Sequence, residues 1–243
     1  MKSKLIVILS LARSGSSNLV KLFKNFKYID YNEEVFNPDN QFSFNNIKNR
    51  DKLRIKYGNN YKNFIIENCL YEECLKLIID SSNKKFIVIK ILDYQVPFEQ
   101  IIKIINISYK VLFLERKNIL DRYISIKKAN MIQEWAHVDT TNINIVFNQE
   151  DYNKFKKHHI TINDKFKELL IKNKNMTYIK YKNTINPMKI LSRINIIIPE
   201  LKIKNIKNII CLQIQDKSKS YKKKIKNYEE FKDFIDKEIK TFN

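Results

Sequence analysis

The chain has 243 residues, 44% of them hydrophobic and 12% aromatic, and a formal net charge of +20 from 46 Lys and Arg against 26 Asp and Glu. That apolar share excludes a disordered polyelectrolyte, and the length serves one substantial core without forcing a second domain. Three cysteines, Cys69, Cys74 and Cys211, with no C-x-x-C spacing exclude a disulfide framework or a zinc site as the organising feature.

Lysine is scattered along the whole chain together with Asn and Ile, residues of AT-rich codons. The charge therefore reads first as compositional bias on solvated faces, and nucleic-acid binding is not expected. Only "KSKSYKKKIK", residues 217–226, is densely basic. The apolar run behind the N-terminal "MKSK" is too short to span a membrane and no small-residue cleavage site follows it, so the expectation is a cytoplasmic protein without a transmembrane segment.

In chain order, Leu5–Leu9 is the first of five apolar runs of strand length; Phe86–Leu92, Tyr109–Leu114, Met176–Tyr181 and Ile209–Leu212 follow. Most are continuously apolar, as in strands covered on both faces of a parallel sheet. Helical spacing separates them. Leu19, Leu22, Phe23 and Phe26 share one face, Ile119, Leu120, Tyr123 and Ile124 share another, and Phe231, Phe234, Ile235 and Ile239 line a C-terminal helix. Alternation of strand and helix predicts an α/β fold, a central mostly parallel sheet flanked by helices, in a single domain over 1–243.

In such a fold ligands bind at the carboxyl ends of strands. The turn Ala12-Arg13-Ser14-Gly15-Ser16-Ser17 lies there and holds one of only two glycines. Glycine lets backbone N–H groups approach an anion, the hydroxyls add donors, and Arg13 offers a cationic fork. A plain helix N-cap by Ser16 or Ser17 would explain neither Arg13 nor the crowding of small polar residues. The turn lacks the second glycine and the lysine of G-x-x-x-x-G-K-[ST], which disfavours a nucleoside-triphosphate kinase.

"RSGSS" resembles the 5′-phosphosulfate loop of sulfotransferases that use 3′-phosphoadenylyl sulfate (PAPS). A second segment, "YKVLFLERKNILDRYISIKKA" from Tyr109 to Ala129, resembles that family's strand ending in Arg with a Ser on the following helix. Here Arg116 follows the strand and Ser125 lies nine residues on, while Asn118 and Asp121 make a capping-box-like start. Taken alone, Arg116 could equally sit in an ion pair with Glu115 or Asp121. A third segment, "YNEEVFNP" from Tyr31 to Pro38, is similar to the family's E-x-F signature through Glu34-Val35-Phe36, with Glu33 as the alternative carboxylate. The histidine of the small-molecule branch is missing at Lys90-Ile91-Leu92. Lys90 is a charge in an apolar strand, placed either to meet the sulfate or the acceptor, or to snorkel from the strand end.

The run "RKNILDRYISIKKANMIQEWAHV" looks most like the bacterial trehalose-type branch, through Arg116, Lys117, Leu120, Ser125 and Trp135; Trp135 could stack on a sugar face or fill a core. "YIKYKNTINP" resembles the family's segment before a proline through Tyr181 and Pro187, although Lys182 and Asn183 replace its acidic pair. "LQIQDKSKSYKKKIKNYEEF" resembles the loop and helix that close over the cofactor, where Lys217, Ser218 and Lys219 could touch phosphate.

The resemblance implies the P-loop-nucleotide-hydrolase-like sulfotransferase fold and an enzyme that moves a sulfuryl group from PAPS to a hydroxyl of a carbohydrate or similar acceptor. It further implies that Arg13, Ser14, Gly15, Ser16, Ser17 and Asn18 hold the 5′-phosphosulfate, that Arg116 and Ser125 hold the 3′-phosphate with Tyr181, Lys217 and Ser218 nearby, and that Glu34 is the base beside Arg13 and Lys90. Adenosine 3′,5′-bisphosphate would be the product, and no metal would be required. The segments at about 41–83 and 133–160 would line the acceptor cleft; His137, His158 and His159 have no recognisable role. A kinase of related fold and a non-catalytic polyanion binder are the alternatives.

Overall fold

The computed structural model describes residues 2–37, 47–135, 138–184, 186–202, 218 and 220–242. Five strands form one sheet: β1 (Lys4–Ser10), β2 (Ile29–Glu34), β3 (Phe86–Leu92), β4 (Lys110–Glu115) and β5 (Met176–Lys180). The helices are α1 (Ser16–Leu22), α2 (Ile47–Tyr57), α3 (Tyr61–Glu67), α4 (Tyr71–Ser81), α5 (Phe98–Ile107), α6 (Ile119–Ile132), α7 (Gln149–Lys172), α8 (Tyr181–Thr184), α9 (Pro187–Ile197) and α10 (Lys232–Phe242). Two compact units emerge, residues 1–115 with 166–210 and residues 116–165 with 211–243.

The first unit holds the sheet, in the order β2-β3-β1-β4-β5 with every pairing parallel. β3 "FIVIKIL" is buried along its whole length and β1 "KLIVILS" from Leu5 onward, which is why they take the interior positions. The sheet's parallel, helix-flanked architecture is the expected α/β class. The strand expected at Ile209–Leu212 lies outside the described residues. Tyr181 is not the last residue of a strand: β5 ends at Lys180 and Tyr181 opens the short α8.

β2 is an edge strand with the polar sequence "IDYNEE", and local pattern did not reveal it. Its polar groups are bound within the unit: Asn49 Nδ2 donates to Asp30 Oδ2 at 3.1 Å, and Asn32, fully buried, donates to Asp30 Oδ1 at 3.4 Å. The register against β3 slips once. Tyr31 faces Val88, but Glu34 rather than Glu33 faces Lys90, so one extra residue of β2 is accommodated in between. Such an irregularity re-aims side chains, because strand residues alternate between faces.

The second unit is built on an aromatic cluster. Tyr123 of α6 packs edge-on against Phe147 (5.8 Å between ring centroids) and Tyr152 (5.4 Å), and Phe147 meets Phe231 at 5.3 Å. Ile235 of α10 is fully buried in the same cluster, with Phe231, Phe234 and Ile239 packed around it, as the helical spacing predicted. Asn118 caps α6, its Oδ1 accepting from the Asp121 N–H at 2.8 Å. Asn118→Ala should destabilise the protein by about 1 kcal/mol, the usual worth of a side-chain N-cap, read as a lower urea midpoint at unchanged slope. Among the described residues no helix is long and apolar enough to cross a membrane.

Candidate active site

In the first unit the site is assembled from three strand ends. The chain leaves β1 through a turn with two left-handed residues, Arg13 at φ 62° and Gly15 at φ 82°. Gly15 takes this conformation freely; a non-glycine residue such as Arg13 does so at a cost and is held there by its surroundings. Asp93, just after β3, supplies part of that hold. Its N–H donates to Ser10 O at 3.2 Å and its Oδ1 accepts from Ala12 N–H at 3.3 Å. Gly15 is the N-cap of α1 and no side chain caps the helix, so Ser16 and Ser17 are not there as caps. Ser14 is 1% exposed and its hydroxyl has no hydrogen-bond partner in the described structure.

Lys90 does not snorkel. Its side chain is 1% exposed, and its ammonium lies 2.7 Å from Glu34 Oε1 and donates to Ser17 Oγ at 2.7 Å. An opposite charge and good acceptors offset the cost of burying such a side chain. Glu34 is held on its other oxygen as well: Asn37 Nδ2 donates to Oε2 at 2.7 Å and Gln95 Nε2 at 2.9 Å. Val35 and Phe36 behind it are completely buried, with Phe36 edge-on to Tyr71 at 5.0 Å. The aromatic of the E-x-F segment thus anchors the turn that presents the carboxylate. The register slip decides between the two glutamates: continued pairing from Tyr31 would have set Glu33 opposite Lys90, and the extra residue sets Glu34 there instead.

Three expected residues, Ser17, Glu34 and Lys90, are therefore joined in one hydrogen-bonded chain beside the Arg13–Ser17 turn. Asn37 and Gln95 extend it and Asp93 braces the turn beside it; none of the three was anticipated. Asn37 sits next to the E-x-F segment, but Asp93 and Gln95 lie in a turn, "DYQVP", with no signature of its own.

The second unit carries Arg116, Ser125 and Ser218. Arg116 Nη2 is 3.5 Å from Asp121 Oδ2, and Lys224 Nζ is 3.2 Å from Asp121 Oδ1, so two cations share this carboxylate. Tyr221, whose hydroxyl accepts from Asn118 Nδ2 at 3.1 Å, has its acidity pushed well below that of an ordinary phenol by burial and by the nearby Asp121 charge. Lys224 and Tyr221 were not singled out, although both lie within the basic run 217–226 that was. Ser125 is half-buried within α6. Ser218 donates to Ser220 O at 3.3 Å and lines an open cleft of about 770 Å³ with Thr141, Asn142, Asn144, Lys222 and Lys223. Lys217, Lys219 and His137 lie outside the described residues. Trp135 is 52% exposed and is no core residue. His159 is buried between Arg122 Nη1 (2.9 Å) and the Asn163 side-chain amide (2.6 Å), a structural arrangement inside the unit. No group of three or more His, Cys, Asp or Glu able to hold a metal occurs among the described residues.

A five-stranded parallel sheet flanked by helices, with a small polar turn behind its central strand, defines an α/β architecture of the kind whose ligand sites lie at the carboxyl ends of the strands. No protein-family model matches the chain, and no curated protein matches it in sequence. Among solved structures, it is similar to the "Sulfotransferase Domain from the Curacin Biosynthetic Pathway", with a TM-score of 0.53 and 12% identity over 90% of this chain and 81% of that one. The chain has the sulfotransferase fold.

Proposed function

We propose that this chain is a PAPS-dependent sulfotransferase acting on a hydroxyl of a carbohydrate or similar acceptor. The observation that carries the reading is the link from Glu34 through Lys90 to Ser17, which ties a carboxylate and a buried cation to the turn behind β1. Bound PAPS would supply an activated sulfuryl group with adenosine 3′,5′-bisphosphate as its departing partner. The turn fits such an anion: it carries two left-handed residues, a conformation common in anion-binding turns, and the buried Ser14 hydroxyl, without a partner among the described residues, is a donor that a phosphosulfate oxygen would satisfy.

In this reading Glu34 accepts the proton of the acceptor hydroxyl as its oxygen bonds to sulfur, and Lys90 and Arg13 meet the charge that develops on the departing phosphate oxygen. Ser14, Gly15, Ser16, Ser17 and Asn18 hold the 5′-phosphosulfate. Arg116 and Ser125 take the 3′-phosphate, Arg116 by exchanging Asp121 for a bidentate phosphate contact, with Tyr181, Lys217 and Ser218 as further contacts. The supports for these second roles are the resemblance of the segment and the concentration of cations around Asp121.

Calorimetry with adenosine 3′,5′-bisphosphate tests the donor class. Binding should be micromolar, exceed that of ATP, and weaken about ten- to a hundredfold in Arg116→Ala, the worth of losing a charge-assisted hydrogen bond. Preference for ATP would favour a kinase. Binding only to polyanions, with steep salt dependence, would favour a non-catalytic basic protein.

A further inference from the structure

Gln95, 5% exposed in the turn between β3 and α5, has both ends of its side-chain amide engaged. The backbone N–H of Leu92 donates to Oε1 at 3.0 Å, and Nε2 donates to Glu34 Oε2 at 2.9 Å. A backbone N–H can only donate, so the oxygen of this amide is fixed toward Leu92 and its nitrogen toward Glu34. Asn37 Nδ2 donates to the same Glu34 oxygen at 2.7 Å. Lys90 lies 2.7 Å from the other one. The two oxygens of Glu34 are thus made unequal by their surroundings.

We infer that Gln95 is a positioning residue that selects the working oxygen of Glu34: Oε2 is held by two amide donors, and Oε1, the oxygen beside Lys90, takes the acceptor's proton. The terminal torsion of a glutamate is broad and nearly two-fold, so an unpinned carboxylate would present either oxygen at varying angles. Two charge-assisted hydrogen bonds to one oxygen remove that freedom. In the transfer step the acceptor O–H bond breaks, its electron pair forms the O–S bond, and the proton forms a bond to Oε1. The S–O bond to the departing phosphate breaks with its electron pair leaving on that phosphate. The Lys90 cation is then adjacent to the oxygen that gains the proton and hydrogen-bonded to the turn proposed to hold the donor. The inference rests on Glu34 being the base.

The test uses the full chain and PAPS, with water standing in for the acceptor hydroxyl so that no acceptor need be known; the readout is release of adenosine 3′,5′-bisphosphate. Gln95→Met, similar in size but without the donor, should lower kcat about ten- to a hundredfold with KM for PAPS and affinity for adenosine 3′,5′-bisphosphate little changed, the pattern of a misplaced base. In the Glu34→Gln background Gln95→Met should cost nothing further, since its effect passes through the carboxylate. Gln95→Glu, which keeps an acceptor for Leu92 while turning the donor into an acceptor, carries the test if the Met variant does not fold, and should lose at least as much. Glu34→Gln inactive with both Gln95 variants turning over like the parent, or Gln95 effects that add fully to Glu34→Gln, would overturn the role of Gln95 alone. Glu34→Gln retaining full turnover would overturn the base assignment itself.

Discussion

Glu34→Gln should lower PAPS turnover by about 10² to 10⁴-fold while adenosine 3′,5′-bisphosphate binds as tightly as to the parent. The substitution keeps the shape of the side chain but removes both its ability to take a proton and the charge paired with the buried Lys90, so retained binding of the product nucleotide is what separates lost chemistry from a lost fold. Because the register slip in β2 brings Glu34 and not Glu33 opposite Lys90, Glu33→Gln should leave turnover within about a factor of two. Stopped-assay kinetics on the two variants, with calorimetry for the product nucleotide, measure both halves. A loss that fell on Glu33 would mean that the acceptor meets the other face of β2.

Lys90→Met should be the most destabilising change in the site. The Lys90 side chain is 1% exposed and is the cation next to a carboxylate that is itself only 23% exposed. Removing one partner of a buried pair leaves the other charge uncompensated, which costs about 3 to 5 kcal/mol. The lower end, about 3 kcal/mol, is expected here, because Glu34 keeps some water and two amide donors. The double variant Lys90→Met/Glu34→Gln should recover more than half of the loss, since no charge then remains stranded. Urea unfolding of the three variants reads the cycle. A Lys90→Met protein as stable as the parent, or a double variant worse than the single, would show that the pair is not what holds this corner together.

The fold was legible where burial is two-sided. β1, β3 and β4 announce themselves as apolar runs because both faces of an interior parallel strand exclude water, and the start of α6 is written locally in Asn118 and Asp121. β5, at the other edge, still carries Met176, Tyr178 and Ile179, whereas β2 escaped because "IDYNEE" is mostly polar and satisfies those groups through Asn49 and β3 rather than by alternation. Tyr181 was misplaced by one element because α8 begins directly after β5, with no turn residue between them. The site was legible in parts. Arg13 to Ser17, Glu34 and Lys90 each stood out by residue type, but their linkage depends on a slip in register, and the brace on it comes from Gln95 in another turn, which no local pattern encodes. The choice between Glu33 and Glu34 as the partner of Lys90 is a property of strand pairing.

The most direct test offers the protein sulfur-35-labelled PAPS and γ-phosphorus-32-labelled ATP side by side, with the same panel of sugars, lipids and tyrosine peptides. Sulfur label on a hydroxyl acceptor, with adenosine 3′,5′-bisphosphate released in equal amount and no phosphorus label, is the predicted result. Phosphorus label on an acceptor, with none from PAPS, would contradict it.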